Sequence, residues 1–204
     1  MLQGAEGTEM KDRRTLIPFE LTICGVEELS DHCDSAVSHV LSLLDPGFPD
    51  PAAFGEYAEH ERLDLRFHDI IDESPGLVAP TQADVESILR FGEQLMRDEG
   101  AHGHLLVHCH MGVSRSSASM ALLLAQARPD ASADAIFAEV VRLRPQAWPN
   151  LRIVELGDGL LARNGELVEA LRRHHHAAAA RDPRRARLMV DAGRRRELAG
   201  LEGF

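Results

Sequence analysis

The chain has 204 residues, of which 44% are hydrophobic and 27% charged, as is typical of a soluble globular protein with one domain. Its formal net charge of −11 argues against binding to nucleic acid or to an anionic membrane. The polar start carries no apolar signal sequence, and no apolar run approaches the ~20 residues of a membrane span. The three cysteines do not form a secreted disulfide framework, so we expect a cytoplasmic protein. The single lysine among many arginines suggests a bacterial source, whereas nothing indicates the oligomeric state.

Strand-like and helix-like segments alternate along the chain after a polar tail, which we expect to be flexible over residues 1–13. Apolar alternation and turn residues predict strands over 15–24, 38–44, 62–68 and 104–109. Helical spacing and capping residues predict helices over 26–34, 81–98, 116–127, 132–143 and 150–160. This order predicts an α/β fold with a central, largely parallel twisted sheet flanked by helices.

The character of the chain changes at Gly165, so we predict one domain over residues 14–165 and a C-terminal helical extension over 166–204. The extension contains the run His174-His175-His176, which we interpret as a solvated helix surface. An arginine-rich helix is predicted from Arg184 to Leu201. Three interpretations stay open for the extension: packing on the core, self-association or partial fraying.

Residues 108–116 read His-Cys-His-Met-Gly-Val-Ser-Arg-Ser and directly follow an apolar strand. Cys109 therefore lies at a strand end, where parallel sheets bind ligands, and Arg115 follows it across a five-residue loop that leads into a helix. The amides of such a loop and of a helix N-terminus bind anions and favour a thiolate, which is the nucleophilic form of cysteine. Arg115 supplies a planar fork that binds two phosphate oxygens. The pattern predicts a cysteine that attacks the phosphorus of a bound phosphate group.

The other residues of this segment have supporting parts in that chemistry. Gly112 permits a tight turn, and the Ser116 hydroxyl can donate to the sulfur when a phosphocysteine breaks down. We expect His108 to be buried and to bond the loop backbone. The predicted phosphate-binding residues are His110, Met111, Gly112, Val113, Ser114 and Arg115.

The segment resembles the His-Cys-x5-Arg-Ser/Thr signature of the cysteine-based protein tyrosine phosphatases, and its Gly-x-Ser-Arg-Ser part is most similar to the dual-specificity-like branch and its bacterial relatives. Arg144-Pro145 and Trp148-Pro149-Asn150 resemble the Pro-Asn segment of that branch, which gives Asn150 a supporting part. The resemblance covers residues 14–165. It implies a cysteine-phosphatase domain that hydrolyses phosphomonoesters without a metal or cofactor, through phosphocysteine. The implied substrate is a phosphotyrosine-containing protein or another phosphomonoester.

Such hydrolysis needs a carboxylic acid that first protonates the leaving oxygen and then activates water. In the family this acid lies on a loop after a strand upstream of the cysteine. Asp69 lies directly at the end of the predicted strand 62–68 and is the favoured candidate. Asp72, further along the same loop, remains the alternative because the Trp-Pro-Asp triplet of the larger tyrosine phosphatases is missing.

Several other interpretations remain open. Four histidines, His102, His104, His108 and His110, share one parity and invite a metal site, but no acidic cluster completes it, so we predict none. An inositol-phosphate phosphatase of the same superfamily, a rhodanese-type sulfurtransferase or arsenate reductase, and a non-catalytic phosphate-binding module are the competing functions. Cys24 or Cys33 would protect Cys109 if either formed a reversible disulfide with it, although two ordinary buried thiols are favoured.

Overall fold

The protein is built on a four-stranded sheet, seen in a computed structural model that describes residue 17, residues 19–98 and residues 103–204. The strands are β1 (Glu20–Gly25), β2 (His39–Leu44), β3 (Glu61–Arg66) and β4 (His104–Cys109). They lie in the order β1-β4-β2-β3 and every pair is parallel, which confirms the predicted fold class. The expected tail over 1–13 and the first residues of the predicted strand 15–24 lie outside the described residues.

Six α-helices and three short 3₁₀ helices complete the described structure. The α-helices are α1 (Gln82–Asp98), α2 (Arg115–Ala127), α3 (Ala133–Leu143), α4 (Leu151–Leu160), α5 (Glu166–Arg181) and α6 (Pro183–Asp191). The 3₁₀ helices are Val26–His32, Ala52–Glu56 and Arg195–Leu198, the first of which replaces the helix predicted over 26–34. Within the described part of the chain, no helix combines the length and the apolar character needed to cross a bilayer.

The two central strands are the most apolar ones, and this places Cys109 in the middle of the sheet. Every residue of β2 and β4 is buried, as expected of strands that are covered on both faces. The edge strand β3 alternates charged and apolar residues and is only half-buried. Cys109 is the last residue of β4, so its side chain lies at the carboxyl edge where the central strands end.

Side chains alternate between the two faces of the sheet and divide the core into two layers. Leu43, Leu105 and Val107 face the layer of α-helices and belong to the main core, together with Cys109. Cys24 and Leu106 face the other way and pack in a smaller cluster beneath the first two 3₁₀ helices.

The C-terminal extension packs on this core. Leu167 and Leu171 of α5 are fully buried in the main cluster. Of the three interpretations, packing on the core is therefore the one that the structure has. His175 is also buried: its ring stacks on Trp148, and its Nε2 lies 3.1 Å from the Pro149 carbonyl oxygen. The interpretation of the histidine run as a solvated surface is therefore wrong for its central residue.

The arginine-rich segment does not form the single helix predicted from Arg184 to Leu201. Helix α6 ends at Asp191, and Gly193 has a φ of +80°, a left-handed conformation that ends a helix and that glycine adopts without strain. The chain then turns back through the 3₁₀ helix Arg195–Leu198, and Leu198 packs against Trp148. This reversal buries Arg194, which a continuous helix would have placed in a solvated row of arginines.

Candidate active site

Cys109 and Arg115 lie on the two sides of a short loop between β4 and α2. Cys109 is 2% exposed, and its Sγ lies 3.2 Å from the hydroxyl oxygen of Ser116, in the first turn of α2. Arg115 is the first residue of α2, with Ser114 at the N-cap position. The N-terminus of this helix therefore faces the same space as the sulfur.

The five carbonyl groups of residues 110–114 all accept hydrogen bonds from groups outside the loop. Backbone amides donate from Val26 to His110 at 3.1 Å, from Trp148 to Val113 at 2.8 Å and from Asn150 to Ser114 at 3.3 Å. The Arg144 guanidinium donates to Met111 at 2.9 Å and to Gly112 at 3.1 Å. In a trans peptide the N–H points opposite to its C=O, and none of the described peptide bonds is cis. The N–H groups of residues 111–115 consequently point into the loop, as in an anion-binding nest.

Gly112 allows the loop to pass against β1. It has a φ of +66°, and a Cβ built there would lie 2.5 Å from the carbonyl carbon of Cys24 and 2.7 Å from its oxygen. Both neighbouring atoms are backbone and have little room to move. Glycine is therefore required here by conformation and by space together.

The Arg115 guanidinium is buried and held at one end only. Its Nη1 donates to Asp45 Oδ1 at 2.7 Å and to the Phe67 carbonyl at 2.5 Å. Its Nε is buried and has no hydrogen-bond partner among the described residues. A buried guanidinium N–H without a partner is costly, and a phosphate oxygen is the type of acceptor that would satisfy it.

Asp69 and Asp72 have different environments. Asp69 lies next to the loop, where its Oδ1 accepts from Ser114 Oγ at 2.7 Å and from Asn150 Nδ2 at 2.9 Å. Asp72 is exposed and pairs with Arg196 at 3.0 Å. Asn150 also caps α4 by accepting from the Ile153 amide at 3.1 Å. It therefore fixes the Asp69 loop to the start of that helix.

Opposing effects act on the Asp69 carboxyl. Burial alone would raise its pKa, but the charges of Arg194 and Arg115 and the hydrogen bonds from Ser114 and Asn150 outweigh it and lower the pKa below the usual value. These neighbours thus favour the carboxylate anion.

The loop histidines take separate positions. His108 is fully buried, and burial lowers its pKa to about 4, so the ring is neutral at physiological pH. Neither ring nitrogen forms a hydrogen bond of ordinary geometry with the described residues, but the backbone of Cys109 counteracts part of the effect of burial on the pKa, and the ring packs 5.5 Å from that of Phe54. His110 lies at the rim, with its Nε2 3.5 Å from Asp45 Oδ1.

The histidines do not gather around a common point. His104 bonds Thr22 Oγ1 and the Ser35 carbonyl, away from His110, and His102 lies outside the described residues. Across residues 19–98 and 103–204, no group of three or more histidine, cysteine or acidic side chains is arranged to hold a metal ion.

The other two cysteines are free thiols. Cys24 is buried on β1, and its pKa is raised to about 12, chiefly by burial and then by Glu28. Its side chain faces the layer opposite to Cys109. Cys33 is half-buried, and its Sγ lies 3.8 Å from Glu56.

Four residues of the site were not identified from the sequence. Asp45 directly follows strand β2, which lies beside β4, and the rule that ligands bind at carboxyl strand ends would have found it. Arg194 and Glu197 reach the site only through tertiary packing, and no local pattern distinguishes them from surface charges. Arg144 belongs to the Arg144-Pro145 match, which did not indicate its contacts with the loop carbonyls.

Solved structures of phosphatases share this fold. Human DUSP28 is 20% identical over 72% of this chain and 97% of its own, with a TM-score of 0.53. The PTP-2 phosphatase of Cydia pomonella is 20% identical over 69% and 84%, also with 0.53, and Tk-PTP in its active form is 20% identical over 74% and 96%, with 0.50. The chain thus has the fold of the dual-specificity and tyrosine phosphatases. No model of a known protein family matches the chain, and no curated protein matches it in sequence.

Proposed function

We propose that this protein is a phosphatase of the cysteine-based tyrosine phosphatase superfamily, which hydrolyses phosphomonoesters without a metal through a phosphocysteine intermediate. The arrangement of the loop carries the proposal, because its outward carbonyls direct five amides towards the space beside Cys109. With the partly unsatisfied Arg115, these amides provide donors for the equatorial oxygens of a transferring phosphoryl group. Preorganised donors of this kind contribute roughly 3 kcal/mol each to catalysis.

The proposed reaction has two displacements at phosphorus. The Cys109 thiolate attacks, a sulfur–phosphorus bond forms, the ester P–O bond breaks, and the leaving oxygen takes the proton of Asp69. Water then attacks the phosphocysteine, Asp69 takes a proton from that water, and the sulfur–phosphorus bond breaks. Ser116, 3.2 Å from the sulfur, donates a hydrogen bond to Sγ as it leaves.

The contacts of the two acid candidates favour Asp69. Its carboxyl contacts Ser114 of the loop, whereas Asp72 is tied to Arg196 on the protein surface. A bound phosphate dianion would offset the positive charge of Arg115, which is one cause of the low pKa of Asp69, and would thereby favour the protonated acid.

The finer assignments are part of the same proposal. We infer a phosphotyrosine-containing protein as the substrate, with phosphoserine or phosphothreonine as further possibilities, and a catalytic domain over residues 14–165 followed by the extension 166–204. The three free thiols support a reducing compartment such as the cytoplasm.

The direct test is turnover of p-nitrophenyl phosphate and phenyl phosphate in EDTA by the wild type and by Cys109→Ser, Asp69→Asn and Asp72→Asn. We expect metal-independent turnover, no activity in Cys109→Ser, and a loss of roughly a hundredfold on phenyl phosphate in Asp69→Asn but not in Asp72→Asn. The reverse result for the two aspartates would transfer the acid role to Asp72.

The competing functions predict different results in binding and turnover assays of the wild type. A wild type that binds inorganic phosphate without releasing product is a binding module, and one that turns over thiosulfate or arsenate instead is a sulfurtransferase or reductase. A panel of phosphotyrosine peptide, phosphoserine peptide and inositol phosphate then ranks the phosphatase substrates by kcat/KM.

A further inference from the structure

The C-terminal extension delivers a buried arginine to the candidate active site. Gly193 lies in the turn that follows α6, and its left-handed conformation directs the chain inwards. Arg194, the next residue, is only 4% exposed. Its Nη1 donates to Ser114 Oγ at 2.8 Å and lies 3.4 Å from Asp69 Oδ1. Ser114 in turn donates to the same Asp69 oxygen, so a continuous chain of hydrogen bonds joins the arginine, the loop and the carboxyl.

Glu197 holds the arginine in this position. The Nε and Nη2 of Arg194 donate to the two carboxylate oxygens of Glu197 at 3.0 and 2.6 Å, a bidentate pair that fixes the guanidinium plane. The same carboxylate accepts from Trp148 Nε1 at 2.6 Å and from the Leu151 amide at 3.1 Å. Glu197 is therefore attached to the segment that also carries Asn150, the other side chain that bonds Asp69.

We propose that Arg194 is a positioning residue of the active site, which holds the Asp69 carboxyl against the loop and makes the C-terminal extension part of the catalytic machinery. This inference rests on the proposed function and on the assignment of Asp69 as the acid. Arg194 acts through Asp69 and Ser114, since Glu197 occupies its two other donor positions.

The charges around Asp69 determine how the removal of Arg194 acts. The groups that face the carboxyl are Arg194 from the extension, Arg115 from α2 and His110 from the loop. Glu197 lies behind Arg194, and the Cys109 sulfur also interacts with that arginine. Without Arg194 the carboxyl loses a nearby positive charge, so its pKa rises and it stays protonated to a higher pH.

A variant without the Arg194 charge must also lose the charge of Glu197. Removing Arg194 alone leaves Glu197 buried without a counter-charge and destabilises the fold. The double variant Arg194→Gln with Glu197→Gln removes both charges and keeps amide groups for hydrogen bonding. Arg194→Lys keeps the charge but loses the planar fork. Arg195→Met is the matched control, since Arg195 is the next residue and is exposed.

The first readout is the dependence of kcat/KM on pH with phenyl phosphate, whose leaving oxygen needs a proton. We expect the basic limb to move to higher pH in the double variant and kcat to fall roughly tenfold to a hundredfold. Arg194→Lys should restore the limb but only part of kcat, and Arg195→Met should match the wild type. An unchanged limb in a folded double variant overturns the proposal.

The second readout needs no turnover. In a Cys109→Ser background, the Asp69 carboxyl carbon is titrated by 13C NMR and assigned by its loss in Asp69→Asn. We expect a higher midpoint with the double variant, and the parent value with Arg195→Met. If the midpoint shifts but the wild type, with Cys109 intact, has no phosphatase activity, the proposed function is refuted while the Arg194–Asp69 coupling stands. If the midpoint does not shift and the wild type is active, the coupling alone is refuted.

Discussion

Arg115 donates from Nη1 to Asp45 Oδ1 at 2.7 Å, and this pair orients the arginine before any substrate arrives. Asp45 follows β2, which lies beside β4, so the carboxyl ends of two neighbouring strands supply the nucleophile and the group that orients its arginine. The carboxylate is partly exposed, at 40%, which weakens the pair through solvent screening, whereas the guanidinium is buried. The interaction is therefore more important for orientation than for stability.

We expect Asp45→Ala to lower kcat/KM on p-nitrophenyl phosphate by roughly tenfold, since a charge-assisted hydrogen bond contributes about 1.5–3 kcal/mol and this one is partly screened. Asp45→Asn should lose less, because the amide oxygen still accepts from Nη1. Asp50→Ala is the matched control: Asp50 is exposed and pairs with Arg66 instead. A gain in kcat/KM for Asp45→Ala would mean that its negative charge hinders phosphate binding more than it orients Arg115.

Ser116→Ala should separate the two steps of the reaction. The hydroxyl lies 3.2 Å from Sγ and stabilises the sulfur as phosphocysteine breaks down, so its loss slows the second step. We expect a burst of p-nitrophenol equal to the enzyme concentration, followed by a steady rate lowered by roughly tenfold or more. Stopped-flow absorbance measures both phases.

The control for that experiment is Ser119→Ala, one turn further along α2. Ser119 is also buried, and its hydroxyl has no hydrogen-bond partner among the described residues. It should show no burst. A Ser116→Ala variant with an unchanged steady rate and no burst would remove Ser116 from the mechanism.

The parts of the site that were predictable from the sequence are those that are contiguous in it. Cys109, the loop and Arg115 follow one another, and an apolar strand before them with a helix after them fixes their geometry locally. The position of Asp69 was also predictable, because it directly follows the predicted strand 62–68, whose alternation is visible in the sequence. Parallel strands end on one edge, so the approach of these two segments needed only the fold class.

Arg194 illustrates why the rest was not predictable. Six arginines in residues 184–196 have the composition of a solvated helix face, and the prediction followed that pattern. The outcome depends on Gly193 taking a left-handed conformation and on Glu197 and Trp148 being in place to receive the guanidinium. These are contacts between distant segments, which periodicity does not encode. The burial of His175 has the same cause, since its stacking on Trp148 exists only in the folded chain.

Gly112→Ala should inactivate and destabilise the protein. The new Cβ would lie 2.5 Å from the Cys24 carbonyl carbon, so either the loop or β1 must move. Gly47→Ala is the matched control, because Gly47 also has a positive φ, +79°, but nothing lies within 4 Å of its added Cβ. Both variants carry a backbone strain of about 1–2 kcal/mol, and only Gly112→Ala adds the clash.

Urea unfolding and p-nitrophenyl phosphate turnover measure these effects. We expect Gly47→Ala to lose that strain energy and keep its activity, and Gly112→Ala to lose more stability together with its activity. Equal losses of stability in the two variants would show that the loop has room to move away from β1.

His108 should make the protein less stable as the pH falls below neutrality. Its pKa is lowered from 6.5 to about 4, chiefly by burial, so between these values the unfolded chain binds a proton that the folded chain does not. The free energy of unfolding therefore falls as the pH decreases from 6.5 towards 4 and is unaffected by this residue above that window. The full shift corresponds to about 3 kcal/mol.

Urea unfolding at pH 7 and pH 4.5 measures the loss, and His108→Gln should show a smaller difference between the two pH values than the wild type. The loss that remains in that variant includes the contributions of His110, His174 and His175, whose pKa values are also lowered chiefly by burial. If His108→Gln lost as much stability as the wild type on acidification, the imidazole would have to accept its proton within the fold, and the loop beside Cys109 would be more open to water than its packing indicates.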